Sequence, residues 1–473
     1  MIPTTLSDVA EVVSGSLIDS PNPQAMVTGA AADTRRVNPG DLFVAIVGAR
    51  ADGHDFAESA MSDGAVGVLG SRSTGQPTVV VDEPVLALGR LARHQLGRLP
   101  DADVVAITGS SGKTSTKDLI AQLVSLRGPV VAPEGSFNTE VGLPLTVLQS
   151  DGDTRTVVLE MGARGVGHVD YLCWVAPPAV AVVLNVGSAH LGEFGSRDAI
   201  VRAKGEIVQA LPENGTAVLL ADDPDVVGMA ARTRAKVLTF GESRTADVRV
   251  SDLMLDDQAR PRFRLLTPVG ERDVVMGLHG EHQALNAAAA AAVGLSLGME
   301  LDSIASALAQ AGPRSGMRME VSQTPSGVTL VNDAYNANPE SMRAALKSLA
   351  AMGRAGSGRT WAVLGEMLEL GPDTLEAHDA VGRLAVRLDI SRLLAVGEGA
   401  RAIHLGASHE GSWGEESAWV PDTAAAIDFL RRDVRPGDIV LVKASRGAAL
   451  ERVAQALADE PTAAPPQQGA DHS

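Results

Sequence analysis

Aromatic residues make up only 3 % of this chain, and its 473 residues include a single cysteine, Cys173. With so few rings, the cores must be aliphatic, built mainly from Ala, Val and Leu. One cysteine excludes an intrachain disulfide and fits a reducing compartment. Basic charge is also scarce. Forty Lys and Arg against 58 Asp and Glu leave a net charge of −18, which repels nucleic acid and anionic membranes. Any anionic ligand must therefore be held by a local cluster of donors. No apolar run of roughly 18 residues is present, so no membrane span is expected. The opening "MIPTTLSDVAEVV" lacks the basic-then-apolar pattern of a secretory signal. A cytoplasmic protein is expected.

What is present is ample apolar material, 45 % of the chain, and a length that suits roughly two to four domains. Short Val- and Ile-rich runs, "VVAIT" (104–108), "TVVLEM" (156–161), "AVAVVLNV" (179–186) and "AVLLA" (217–221), alternate with helical patterns. Strands apolar on both faces suit a parallel sheet covered by helices, so an α/β doubly wound domain is predicted. "GRLPDAD" (97–103) and "AGPRSGMR" (311–318) have the Pro and Gly content of connectors. Beyond the second lie further strand-like runs, "TWAVLG" (360–365), "RLLAVG" (392–397) and "DIVLVKA" (438–444). Three domains are expected, over 1–100, 101–313 and 314–459. The Pro- and Gln-rich end, 460–473, is expected to be disordered.

One stretch suggests chemistry. "ITGSSGKTSTKDLI" (107–120) contains Gly-Lys-Thr, but the usual phosphate loop, G-x-x-x-x-G-K-[ST], would need glycine where Ile107 stands. The first glycine is Gly109. The loop nevertheless lies between a predicted strand and a helix over 114–126. There the free amides and the helix dipole favour a phosphate. Gly109 and Gly112 would let the backbone approach, Lys113 would reach the outer phosphates, and the Thr114 hydroxyl would hold Mg²⁺. The plainer alternative is a tight turn with a solvated lysine. The strand–loop–helix setting favours nucleotide.

Three more residues bear on that site. Glu160 ends the strand "TVVLEM", and His190 follows "AVAVVLNV" in "GSAHLGEFG", so both fall at the carboxyl edge where such sheets bind ligands. Lys204 shares a helical face with Ile200, Ile207, Val208 and Leu211. A bare ammonium is costly there, although a lysine can snorkel outward. A buried lysine has a depressed pKa, and its neutral amine can take up carbon dioxide as a carbamate, an anionic oxygen ligand. Glu160, His190 and a carbamylated Lys204 would together hold a second Mg²⁺.

With these residues the chain resembles the Mur ligases, ATP-dependent amide-bond ligases whose phosphate loop reads T-G-x-x-G-K-[ST]. The resemblance covers nearly the whole chain. It implies a central P-loop-type parallel-sheet domain between an N-terminal uridine-nucleotide-binding domain and a C-terminal Rossmann-like domain. Within the family, "GSFNTEVGLPLT" (135–146), "LEMGARGVGHVDYL" (159–172), "NDAYNANPESMRAAL" (332–346) and "VLGEMLELG" (363–371) point to the branch that adds D-alanyl-D-alanine to a UDP-N-acetylmuramoyl-tripeptide. The D-N-P-R motif expected of a diaminopimelate-adding ligase is absent, and "VLVKASRG" (440–447) carries Ala444 where the family pattern has glycine.

By that resemblance, ATP is contacted by Thr108, Gly109, Ser110, Ser111, Gly112, Lys113, Thr114 and Ser115, by Asn286 at the adenine, and by Arg318 and Asp333 from the last domain. Thr114, Glu160, His190 and the Lys204 carbamate are implied as metal ligands. Lys113, Glu160, His190 and Lys204 are the implied catalytic set. Thr34, Arg50, Asn138, Thr139, Asn336 and Ser445 are implied to touch substrate. The expected cofactors are ATP, two Mg²⁺ and carbon dioxide, in a monomer acting on small molecules. The alternatives are another ligase of this architecture, a folylpolyglutamate synthase-like enzyme included, or an ATP-binding switch without ligase activity. The switch would leave Lys204 on its apolar face unexplained.

Overall fold

A computed structural model describes residues 1–187, 191–356, 358–411 and 414–459. The elements fall into three α/β units. In the first, a five-stranded sheet runs in the order Ser16–Ile18, Thr78–Val80, Gly67–Gly70, Asp41–Val44, Gly29–Ala31. Helix Leu6–Val13, capped by the Thr5 hydroxyl, and helix Pro84–Gly97, with Pro84 in its first turn, bury Leu6, Val9, Leu88 and Leu91.

The second unit carries a nine-stranded sheet. Asp103–Thr108 lies at its heart, parallel to Thr156–Glu160 on one side and Val180–Val183 on the other. Helices Lys113–Val124 and His282–Ser296 share one apolar cluster on one face of the sheet. Ala287 through Ala292 are fully buried, because only a methyl group lets that helix lie so close to its neighbours. His168–Val175 and Arg197–Gln209 belong to a separate cluster. The sheet then continues through Val248–Leu255, Pro261–Thr267 and Gly270–Val275, the last three antiparallel in sequence. Pro261–Thr267 alternates buried and exposed residues, the period of a strand wet on one face. A search for wholly apolar runs passes over it.

The third unit is a six-stranded sheet in the order Glu320–Gln323, Thr329–Asn332, Ile439–Lys443, Thr360–Leu364, Arg392–Val396, Ser417–Val420, parallel except for its first strand. Two apolar clusters fill it.

The cores are distributed unevenly. The first and second units share one continuous cluster, in which Leu88 and Leu91 join Leu143, Val147 and Ile207. The third unit's clusters are its own, apart from Ala259 and the partly buried Leu255. Besides those two, the chain that enters it is held by polar contacts. Gln122 donates to the Gly312 carbonyl and accepts from its amide, both at 3.1 Å, and Asp118 accepts from the Ser315 amide at 3.1 Å.

Candidate active site

The phosphate-type loop opens from the central strand. Gly112, at φ +81°, begins the helix in the left-handed region, where a side chain would be strained. A Cβ there would also stand 3.1 Å from Asn286 Oδ1. The Ser110 and Ser111 amides donate to Asn185 Oδ1 at 2.9 and 3.0 Å, and Asn185 Nδ2 donates back to Ser111. Asn185 escaped sequence reading, although a polar residue closing the apolar run beside the loop strand was its signal. Lys113 folds over the loop, donating to the Gly109 carbonyl at 2.7 Å. Burial lowers its pKa, the Glu160 charge opposes that shift, and Arg318 reinforces it. Thr108 ties the strand end to the Met161 carbonyl at 2.9 Å.

Glu160 stands beside Ile107 in the strand register. Its Oε2 accepts from Thr114 Oγ1 and its Oε1 from Asn138 Nδ2, both at 2.8 Å. Ser136 Oγ lies 3.3 Å from the Thr114 hydroxyl. Among the described residues no group of three His, Cys, Asp or Glu side chains forms a metal cage. A buried carboxylate beside a hydroxyl instead fits Mg²⁺, which takes one or two protein oxygens and completes its shell with water and phosphate.

Lys204 is 4 % exposed, on a face with fully buried Ile200, Ile207 and Val208. Burial drives its pKa well below the ordinary lysine value, and the Lys113 charge adds to the effect. Its helix is held on both sides of the lysine. Arg232 donates to the carbonyls of Val201 and Arg202 at 3.2 and 3.3 Å. Glu206 accepts from the amides of Gly167 and Asp170 at 2.6 and 3.0 Å, capping the helix His168–Val175. His190 lies outside the described residues.

The third unit forms the opposite wall of a cavity of about 650 Å³. Arg318 donates to Ser136 Oγ at 3.1 Å and stacks over Tyr335, 4.2 Å from the ring centre. Met317 and Met319, on either side of it, hold φ of +55° and +49°, a strain of about 1–3 kcal/mol each for a non-glycine residue. The strain is held in place by bonds from the Met317 amide to Glu320 and the Met319 amide to Asp333. Asp333 is also gripped by buried Lys443, whose Nζ lies 2.7 Å from Oδ2 and 2.9 Å from the Asn336 carbonyl. Asn338 caps the helix Pro339–Ala355 through a capping box, and its Nδ2 reaches the Ser110 carbonyl at 3.3 Å.

The other expected residues are distributed around this centre. Asn286 lines the cavity, but its Oδ1 accepts from Thr116 and its Nδ2 donates to Gln283. Thr139 and Asn336 line it too. Ser445 is on the wall with its hydroxyl committed to backbone, donating to the Ala337 carbonyl at 3.3 Å and accepting from the Leu368 amide at 3.0 Å. Thr34 and Arg50 lie outside the cavity, on the first unit. Thr34 starts the turn Thr34–Arg36, whose Arg36 guanidinium sits 5.1 Å from the Phe137 ring centre, next to Asn138. Near Arg50, His54 is locked between Asp52, 2.6 Å from Nδ1, and the Ser71 amide, 2.9 Å from Nε2.

A buried lysine on the phosphate-loop helix also escaped the sequence reading. Lys117 Nζ donates to the carbonyls of Pro133 and Gly135 at 2.6 and 3.3 Å and pairs with Asp118 at 2.7 Å. It thereby holds the loop that presents Ser136 and Asn138.

A strand–loop–helix phosphate site on a parallel sheet, closed by a Rossmann-like unit that adds an arginine and an aspartate, defines a nucleotide-dependent enzyme assembled from separate domains. Comparison with known proteins gives its lineage. Matches to the Mur ligase middle domain, the Mur ligase glutamate ligase domain and the Mur ligase family catalytic domain cover residues 107–294, 317–446 and 27–95. The chain belongs to the Mur ligase family. It is 46 % identical to the UDP-N-acetylmuramoyl-tripeptide–D-alanyl-D-alanine ligase of Mycobacterium leprae, over 97 % of this chain and 98 % of that one. It is 34 % identical to the Bacillus subtilis enzyme of that name, over 98 % and 100 %. Among solved structures, MurF from Acinetobacter baumannii superposes with a TM-score of 0.87 at 31 % identity, covering 97 % and 99 %. MurF ligase from Thermotoga maritima, in complex with ADP, gives 0.79 at 33 % identity, covering 92 % and 98 %.

Proposed function

We propose that this protein joins D-alanyl-D-alanine to UDP-N-acetylmuramoyl-tripeptide while converting ATP to ADP and phosphate. The supporting observation is one cavity in which the Thr114–Glu160–Asn138 cluster faces Arg318 and Asp333 from another domain. The names of its full-length relatives supply the substrates. A carboxylate is a poor acyl donor, since an amine would have to expel oxide. Transfer of the γ-phosphoryl group forms a carboxyl O–P bond and breaks the bond to ADP. The dipeptide amine then attacks the acyl carbon, and the tetrahedral intermediate collapses to the amide as phosphate departs and the amine loses its proton.

Such a transfer depends on position and charge. Residues Thr108 to Ser115 would bind the phosphates, with Lys113 balancing charge on the transferred group. Asn286 would border the adenine, and Arg318 and Asp333 would complete the ATP site on closure. Thr114 and Glu160 are suited to hold one Mg²⁺, and Glu160, His190 and a Lys204 carbamate a second; bound there, the metals would let two anions approach. The depressed pKa of Lys204 supports the carbamate, because only a neutral amine adds carbon dioxide. Thr34, Arg50, Asn138, Thr139 and Asn336 would contact the substrates, with Ser445 shaping the wall. The working limits are 1–100 for the uridine-nucleotide domain, 101–313 for the ATP domain and 314–459 for the ligase domain. A cytoplasmic monomer is proposed; among the described residues no helix is long and apolar enough to cross a membrane.

The test is phosphate release from ATP with each substrate omitted in turn. Release that needs both, with UDP-pentapeptide appearing in step, is the expected result. Turnover indifferent to both would overturn the substrate assignment.

A further inference from the structure

In a chain of net charge −18, the cavity gathers three arginines, Arg164, Arg318 and Arg446. Arg446 is exposed on the cavity wall, and among the described residues no Asp or Glu lies within ion-pair distance of it. Its recorded contact is with Tyr335, whose ring centre is 5.3 Å from its guanidinium carbon. Arg318 stacks on the same ring at 4.2 Å and touches Ser136, which adjoins the Thr114 hydroxyl. One ring thus carries two cations, of which Arg318 is the one tied to the phosphate-loop side.

We infer that Arg446 binds the carboxylate of the acceptor dipeptide and so sets the length of acceptor the enzyme accepts. The inference rests on the reading of the acceptor given above. An attacking amine must reach the acyl phosphate, so it sits at the Arg318 end. The acceptor's carboxylate then falls about two residues further along, roughly 7 Å for an extended dipeptide. With guanidinium carbons 4.2 and 5.3 Å from one ring centre, the two groups can stand up to about 9.5 Å apart, a span an extended dipeptide can bridge. Arginine suits the task, because its planar fork matches a carboxylate and stays charged. The Tyr335 face fixes the fork by a cation–π contact.

The test compares D-alanyl-D-alanine with its C-terminal amide, which keeps the amine and loses the charge. Wild-type enzyme should use the amide roughly 10- to 100-fold less well, mainly through KM, the range for one charge-assisted hydrogen bond. Arg446→Gln should lose a similar factor with the dipeptide and show no further loss with the amide; Arg446→Lys should fall between. KM for ATP and for the UDP-tripeptide should not move. Equal use of both acceptors by wild-type enzyme, or an equal loss on both in Arg446→Gln, would overturn the inference. A raised KM for ATP would place Arg446 at the nucleotide instead, also overturning it. Wild-type enzyme inert toward the dipeptide would instead defeat the acceptor assignment itself.

Discussion

The two seams between domains are built from different materials. Between the first and second units the core runs through without a break, Leu88 and Leu91 packing into the same cluster as Leu143 and Val147. Between the second and third, Ala259 and Leu255 make a small apolar contact, while around the cavity the contacts are amides, carboxylates and guanidinium groups. Apolar burial holds a seam in one arrangement, since separating it exposes all of its area to water. Polar contacts exchange for water at little net change. The first seam is therefore suited to a fixed platform and the second to the closure proposed above, with the phosphate loop on the fixed side.

Four experiments would break or sharpen this contrast. The largest effect is expected at the implied metal site. Lys204→Ala should lower ligation by about 10³-fold, the upper range for removing one charge-stabilising group, with the fold retained. Added bicarbonate or a short-chain acid should restore part of the rate; full activity in the untreated variant would remove the carbamate role. At the fixed seam, Leu91→Ala should do the reverse, costing about 2–5 kcal/mol of stability with kcat nearly unchanged per folded molecule. Chemical denaturation alongside steady-state kinetics separates the two.

Smaller effects are expected further out. Gln122→Ala removes both hydrogen bonds to Gly312, so solution scattering should show wider dimensions without nucleotide, and KM for ATP should rise severalfold. Identical scattering for wild-type enzyme with and without nucleotide and substrate would count against closure. The least effect belongs to Asp52→Asn. The His54 amide and ring, with Arg72, hold the Asp52 carboxyl at about 2, below its ordinary 3.8. A depressed carboxylate contributes its stabilisation above the ordinary value and loses it as pH falls through the lowered one. The wild-type advantage in melting temperature should thus be constant from pH 5 to 8 and vanish between about pH 4 and 2. An advantage that grew on acidification would reverse the assignment.

The contrast also explains what the sequence made legible. The phosphate loop, Thr114 and Glu160 belong to a local grammar in which strand, loop and helix follow one another. Lys204 betrayed itself by interrupting an apolar stripe. The same signal was available for Lys117, on the face of Ile120 and Val124, and for Lys443 inside "DIVLVKA". Asn185 and Asn338 carried less warning, because their roles are to hold Ser110 and Ser111 from distant parts of the chain. The closing wall is assembled from residues far apart in sequence, and neither propensity nor periodicity records which of them meet. The antiparallel strands Val248–Leu255, Pro261–Thr267 and Gly270–Val275 were missed for a simpler reason: one of their faces is wet.

The ties from Asp118 and Gln122 to residues 312–315 fasten the chain entering the third domain to the phosphate-loop helix, so a closing domain would turn about that helix. Arg318 is stacked on Tyr335, and Asp333 joins the Met319 amide to Lys443, so these groups would move as one block. Arg446 shares the Tyr335 ring, and closure would bring the domain's whole wall to the phosphate loop in one step.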